Sequence, residues 1–528
     1  MGKYLLKRIL FSIFSLLVVV MVVMLLVYTA INRNVIFQTD DLWNKKAGND
    51  QKYYEYMQFQ KFGYLNFVNY TDFLGNKYRA QLGDGYDDSE AFLADRNAIQ
   101  SRDDSYKENP SVKEFYEQYD GKDSYKVIRL DPDTYKSGKL KPGGGAYLIA
   151  VRERNPLLRL FYYLRDFITF ESTNDVQDPA LTERYVRFEK DPYGAGFALV
   201  GSGTTHKYLL YFDGRFPFIH QNWAHLNLGT SYTKYRGQEI STVITTPAGE
   251  LNVFRQQYPN LIGTDQYVET AIDFHSLTYN PMTRPEDREL FPDNYTAYSM
   301  HRTGLSMLEN SFVIGLVATA LAYLIGLPLG ILMARRKDKL ADKIGNFYII
   351  FVIAVPSLAY IFMFAAFATK TFGLPYKFAN AQTKFLAYVL PTISLALPWI
   401  GSLMKWMRRY MIDQMNSDYV KFARAEGLSE REIYRTHISR NAMIPIVHGI
   451  PGSILGCLTG ALITERVYGV PGVGALLTTA INSHDNGIIV ACTVFYTFLS
   501  IVSLILGDLL LAKYDPRISL SSERGGGR

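Results

Sequence analysis

Cysteine is nearly missing from this chain: 528 residues hold only Cys457 and Cys492, each inside an apolar stretch. Two buried thiols argue against a disulfide framework or a thiolate metal site, and the cysteine-free middle region must fold without covalent staples. Nucleotide-binding signatures are absent as well. No G-x-x-x-x-G-K-[ST] loop occurs, so ATP is not held here through a P-loop. Neither H-E-x-x-H nor a G-x-S-x-G elbow is present, and the scattered Ser and Asp residues form no recognisable triad. His220 and His225 stand five apart, the wrong spacing for one helical face, and read as structural residues rather than metal ligands. The net charge of +6 is modest for this length and does not point to a nucleic-acid partner. No cofactor, metal or catalytic centre is expected in the chain itself.

Long apolar runs, by contrast, are plentiful at both ends. Residues 9–31 are uncharged and mostly apolar, enough to cross a hydrocarbon core of about 30 Å. Lys3, Lys7 and Arg8 precede that run, and no A-x-A-type cleavage site follows it, so it reads as a retained anchor. Further spans are predicted at about 312–334, 345–369, 385–404, 441–464 and 486–507. Basic clusters at 335–343 and 405–440 lie on the same side as the N-terminal basic residues, which places both termini (1–8 and the tail 515–528) in the cytoplasm. The polar, Tyr-rich region 32–304 then falls outside, as an α+β domain between the first and second spans. Within it Ser111 and Glu114 suggest a capping box with Gly121 as a stop, and Ser89 suggests a cap for a helix toward Ile99. Residues 146–151 read as a strand after Gly143–Gly145. Residues 155–170 are aromatic and amphipathic, suited to a membrane surface or a domain core, with core the commoner outcome. Gly449, Gly452, Gly456 and Gly460 favour close helix contact in the fifth span. Ionisable groups inside the spans are scarce: His448 lies within one, while Glu465 and Asp508 sit at ends. A carrier driven by a proton or sodium gradient would need such groups, so any driving energy comes from elsewhere.

Residues 418–445 stand out between two apolar runs as polar and charged. Tyr419, Phe422, Ala423 and Glu426 share one helical face. Gly427 stops that helix, and Ser429 with Glu432 forms a capping box flanked by Leu428 and Ile433 as a hydrophobic staple. A short helix, a glycine hinge and a capped helix suit docking into a soluble partner; the plain alternative is an ordinary linker.

This segment resembles the "EAA" coupling loop of ABC-importer permeases, in the A-R-A-x-G-L-S-E form of the peptide branch: Ala423-Arg424-Ala425-Glu426-Gly427-Leu428-Ser429-Glu430. The stricter consensus would put Glu-Ala at Lys421-Phe422; Ala423 and Gly427 are kept. The N-terminal M-x-K-Y-L-L-K-R-I-L, the Asn227-Leu228-Gly229-Thr230-Ser231-Tyr232 stretch and the Asp515-Pro516-Arg517-Ile518 tail resemble B-type oligopeptide permeases. Stretches at 185–192 and 199–212 resemble the enlarged outer domain of the Ami/Opp type. The resemblance implies a mainly α, six-transmembrane-helix type I permease at 1–31 and 305–514, with a large extracytoplasmic insertion and a cytoplasmic coupling loop at 405–440. It implies a bacterial plasma-membrane location and an oligopeptide substrate. It also implies a homologous second permease, two ATP-binding subunits that hold ATP and Mg, and an extracytoplasmic peptide-binding lipoprotein. Tyr419, Phe422, Ala423, Arg424, Glu426, Gly427, Ser429 and Glu430 become the candidate ATPase-coupling residues. Small Ala423 and Gly427 would permit close approach, and Arg424, Glu426 and Glu430 would set polar contacts. Dipeptide or nickel cargo, or a membrane-anchored receptor or adhesin, are the competing readings. The outer domain would dock the binding protein or shape the pore entrance.

Overall fold

A segment in hydrocarbon must satisfy every backbone N–H and C=O internally, which turns the apolar runs into helices. The computed structural model describes residues 2–30, 32–83, 85–135, 139–194, 196–214 and 218–514. Among these, Leu6–Thr29, Met307–Arg335, Lys384–Met415 and Asn486–Tyr514 are long and apolar enough to cross a membrane. Two bent pairs, Leu340–Ala354 with Ser357–Phe372 and Glu430–His448 with Ile450–Tyr468, make six if each pair is one span. The tail motif at 515–518 lies outside the described residues.

Several helices differ from the apolar runs that announce them. Residues 345–369 do not form one straight element: the chain bends by 115° between Ala354 and Ser357. Val355 is extended (φ −80°, ψ 128°) because the ring of Pro356 excludes the helical region for the residue before it. The 441–464 run bends by 49° at Gly449–Ile450. There Pro451 removes an N–H from the ladder at the start of the second helix. Lys384–Met415 runs on well past residue 404, because Met407 and Met411 stay buried beyond the end of the apolar run.

Met307–Arg335, Lys384–Met415 and Ile450–Tyr468 form the packed heart of the bundle. Met307–Arg335 opens with a full capping box, Ser306 and Glu309 each accepting the other's backbone N–H. Its Gly326 and Gly330 sit against the backbone of Ile400 and Met404, so a Cβ there would meet atoms 2.9–3.0 Å away. Of the four glycines at 449–460, Gly456 makes the tight contact: a Cβ would lie 2.3 Å from the Trp399 ring. Glu465, expected at a span end, is fully buried and accepts from Ser311 Oγ (2.6 Å) and Ala475 N–H (2.9 Å). Gly472 and Gly474 leave room for its carboxylate. The first helix joins the last at both ends. Arg8 pairs with Asp508 at 3.0 Å, and Val20 and Met24 pack on Val490 and Val494.

Among the described residues, the large domain between the first two long helices has a three-stranded sheet, a four-stranded sheet and three two-stranded pairs. In the first, Tyr147–Glu153 lies between Leu65–Asn69 and Lys126–Leu130, all antiparallel. Alternation along the central strand sends Leu148 and Ala150 to one apolar cluster and Ile149 and Val151 to another. Helices cover both faces, which is why this strand reads as a continuous apolar run. Ser89 caps Glu90–Ala98 as its sequence suggests. The Ser111–Glu114 box does not form. Asn109 is the cap and Pro110 the first helical residue, which moves Ser111 inside the helix. Ser111 then donates to Asp95, and Glu114 pairs with Lys77 at 2.5 Å. Gly121, at φ 71°, does follow the end of that helix. The second sheet is a meander of Val186–Lys190, Phe197–Gly201, Tyr208–Phe212 and Ile219–Gln221.

The amphipathic 155–170 stretch is not simply core. Its helix, Pro156–Arg165, presses Leu160 and Tyr163 onto the first and last long helices and leaves Leu157, Leu158 and Phe161 exposed.

Candidate functional site: the charged knuckle at 418–445

After Met415 the chain reverses and forms the helix Asp418–Ala425. Gly427 ends it in the left-handed region at φ 82°. Leu428 N–H donates to Ala423 O (3.2 Å) and Gly427 N–H to Arg424 O (3.1 Å), the paired bonds of a Schellman stop. Ser429 then caps the next turn, its Oγ accepting from Glu432 N–H at 3.3 Å. Glu430–Glu432 leads into a π-helical stretch, Ile433–Ser439, and on to Arg440–His448. The glycine stop and the Ser429 cap therefore form as their sequence suggests, whereas the capping box forms only in its Ser429 half and the wide π turn has no local signal.

The knuckle has two faces with different work. Val420, Ala423, Ile433 and Ile438 are buried and belong to the same apolar cluster as Ile400, Met407 and Met411 of the bundle. Ala423 thus turns inward, where its small size lets the knuckle sit close to its own chain; it is not open to approach from outside. Tyr419 is also a strut: its hydroxyl donates to Gln414 Oε1 (2.5 Å) and accepts from Asn441 Nδ2 (3.0 Å). Arg335, at the end of its long helix, stacks on Tyr434 at 5.0 Å. The element is therefore continuous with the bundle core.

The outer face gathers Phe422, Arg424, Glu426, Gly427, Ser429 and Glu430, all exposed. Phe422 is 70% exposed, an isolated aromatic on a charged surface. Arg424 Nε donates to Glu430 Oε1 (2.8 Å) across the glycine turn, and that bond holds the guanidinium above its ordinary pKa. Lys421 does the same for Asp418 in the other sense, keeping its carboxyl below the usual range. A Cβ on Gly427 would meet nothing within 4 Å.

Two anchoring contacts had no local sequence signal. Asp342, almost fully buried, receives both Nε (2.6 Å) and Nη2 (2.7 Å) of Arg408. This ties the first turn of Leu340–Ala354 to the helix that leads into the knuckle. Asp485, fully buried, accepts from Ser231 Oγ (2.7 Å), Tyr232 N–H (2.9 Å) and Thr233 N–H (3.0 Å). Its other oxygen accepts from Ile488 N–H (3.2 Å) at the start of the last long helix. The end of the Asn227–Tyr232 stretch is thus one clamp between the large domain and the bundle, beside the Asn486 Nδ2 bond to Tyr64 Oη (2.8 Å) and the packing of Leu228, Ile240 and Val243 on Leu476 and Ile488.

Long apolar helices, scarce charge within them and a rigid polar knuckle at one end define a multi-pass membrane transport subunit. The chain belongs to the family described as the binding-protein-dependent transport system inner membrane component, which matches residues 326–520. It is therefore an ABC-importer permease, mainly helical, in a family whose members work with ATPases and a binding protein. The oligopeptide transport system permease protein AmiC of Streptococcus pneumoniae is 34% identical over 535 residues, covering 100% of both chains. The dipeptide transport system permease protein DppB of Lactococcus lactis is 33% identical over 40% of this chain and 70% of its own. The oligopeptide transport system permease protein OppB of Haemophilus influenzae is 28% identical over 42% of this chain and 73% of its own. A solved amino acid ABC transporter is more distant, with 17% identity and a TM-score of 0.32 over 40% of this chain and 92% of that one.

Proposed function

We propose that this chain is the permease subunit of an ATP-driven oligopeptide importer, forming the peptide path with a homologous second permease. ATP-binding subunits on the cytoplasmic side receive the outer face of residues 418–445 and hydrolyse ATP. Their closure rotates the attached helices between inward- and outward-facing arrangements. The observation that carries this reading is the knuckle itself, exposed on one face and fused to the bundle core on the other.

Each bent helix pair counts as one span, giving six, with 1–8 and 515–528 in the cytoplasm. The basic run Arg335, Arg336, Lys337, Lys339 and Lys343 and the basic residues of the knuckle support that orientation. Residues 32–304 then stand outside, clamped to the bundle through Asp485, where an extracytoplasmic peptide-binding lipoprotein delivers cargo. Full-length similarity to an oligopeptide permease favours oligopeptides over dipeptides, nickel or a receptor role. Glu465 is engaged in structural hydrogen bonds, which supports an energy source other than an ion gradient.

Co-purification of the complex with two Gly427 variants tests the docking. Gly427→Asn tolerates the left-handed turn at a cost of about 1 kcal/mol or less and is expected to keep the ATP-binding subunits. Gly427→Trp adds bulk where this chain has open space, together with about 1–2 kcal/mol of left-handed strain at φ 82°. It is expected to lose the ATP-binding subunits and peptide uptake together, while its melting temperature shifts by no more than that strain implies. Unchanged uptake in Gly427→Trp would count against docking at this turn.

A further inference from the structure

Far from the knuckle, three residues from separate parts of the large domain converge. Glu171 follows the strand Ile168–Phe170, His225 lies on its partner strand Ala224–Leu226, and His206 sits in the loop between two strands of the meander. His225 Nε2 is 3.0 Å from Glu171 Oε1 and 3.3 Å from His206 Nδ1, and His206 Nδ1 also touches that same Glu171 oxygen. Among the described residues this is the one group of three or more His, Cys, Asp or Glu side chains whose ligand atoms converge in this way. His225 is thus brought to His206 and Glu171, not to His220, its neighbour in sequence.

A carboxylate oxygen can accept two N–H donors, so protons alone can bridge these groups, but only by crowding both imidazoles onto one oxygen. If both imidazoles present N–H groups to one carboxylate oxygen, those groups point into the same small space from 3.3 Å apart and repel. A single divalent cation in place of the two protons removes the conflict. With metal–ligand bonds of about 2.0–2.1 Å, tetrahedral coordination separates donor atoms by about 3.3 Å. That is the separation of the two imidazole nitrogens, His225 Nε2 and His206 Nδ1 (3.3 Å), while the carboxylate oxygen lies closer to both and would have to draw back to admit an ion. The surroundings are also built to hold the ligands. Glu171 Oε2 accepts the backbone N–H of His206 (2.9 Å), which turns Oε1 toward the imidazoles. Thr204 Oγ1 donates to His206 O (2.7 Å), and Glu171 N–H donates to Trp223 O (2.8 Å). The Glu171 side chain is 5% exposed and that of His225 45%, so the site has a closed floor and an open side.

We infer that His206 Nδ1, His225 Nε2 and Glu171 Oε1 bind one divalent transition-metal ion of the zinc class, with the fourth position open to solvent. Two imidazoles and a carboxylate favour zinc over calcium or magnesium, which prefer all-oxygen sites. The ion ties the 168–170/224–226 strand pair to the loop that carries His206. The site would be independent of ATPase docking, so its failure leaves the transport reading intact.

The test uses the full-length chain in detergent, without a histidine tag, dialysed against buffered zinc and measured for bound metal. One zinc per chain is expected, with cobalt(II) giving the intense visible absorption of a four-coordinate centre. His225→Gln, at a half-exposed position, and Glu171→Gln are each expected to weaken binding on the order of tenfold or more. Equal zinc uptake by the wild type and His225→Gln, or none by the wild type, overturns the assignment.

Discussion

Phe422→Asp is expected to strip the ATP-binding subunits from this chain and to lower peptide uptake by two orders of magnitude or more, while leaving the chain itself folded. The side chain is 70% exposed on the outer face of the knuckle. Burying a Phe in a partner's groove contributes about 1.5–3 kcal/mol. An Asp at the same place loses that and adds the cost of desolvating a charge, on the order of another 1–3 kcal/mol. A combined loss of about 4 kcal/mol is roughly a thousandfold in affinity. The chain's own stability should change by no more than about 0.5 kcal/mol, because the inner face is untouched. Quantifying the ATP-binding subunits that co-purify with the variant, beside its melting temperature, checks both halves. Full retention of those subunits would remove Phe422 from the contact.

Asp485→Ala should be as damaging, but to the fold. It leaves the Ser231 hydroxyl and the Tyr232 and Thr233 N–H groups buried without their acceptor, and removes the bond that steadies the start of Asn486–Tyr514. Unsatisfied buried donors cost about 1–3 kcal/mol each before relaxation, so a net loss on the order of 3–5 kcal/mol is expected. Asp485→Asn keeps one acceptor oxygen and should lose less. Melting of the purified chain and limited proteolysis between residues 227 and 240 report the effect. An Asp485→Ala chain that melts and resists protease like the wild type would show that this carboxylate is not a clamp.

Short-range physics was legible in the sequence, and long-range pairing was not. Gly427 and Ser429 marked the knuckle correctly because a left-handed stop and a cap depend on residues within one turn. Ser89 succeeded for the same reason. Ser111 failed because Asn109-Pro110, two residues earlier, competes for the same helix start and wins by fixing the backbone in advance. The apolar runs at 345–369 and 441–464 read as single spans and gave no sign of the bends of 115° and 49° beside Pro356 and Pro451, which depend on what the helices pack against. Asp485 with Ser231, Asp342 with Arg408, and Glu171 with two histidines lie 254, 66, and 35 and 54 residues apart, and no spacing rule reaches that far. The division of the knuckle into an inward Ala423 and an outward Phe422 likewise needed the bundle to be present. Helical periodicity identifies a face, but the packing decides which way it turns.

The account rests on a chain that draws its driving force from partner ATPases through the knuckle. Reconstitution into sealed vesicles tests this most directly, comparing the assembled complex with this chain alone. The account predicts peptide accumulation by the complex only with ATP on the knuckle's side, and none by the chain alone under a proton or sodium gradient. Peptide movement by the chain alone, powered by an ion gradient and indifferent to nucleotide, would contradict it.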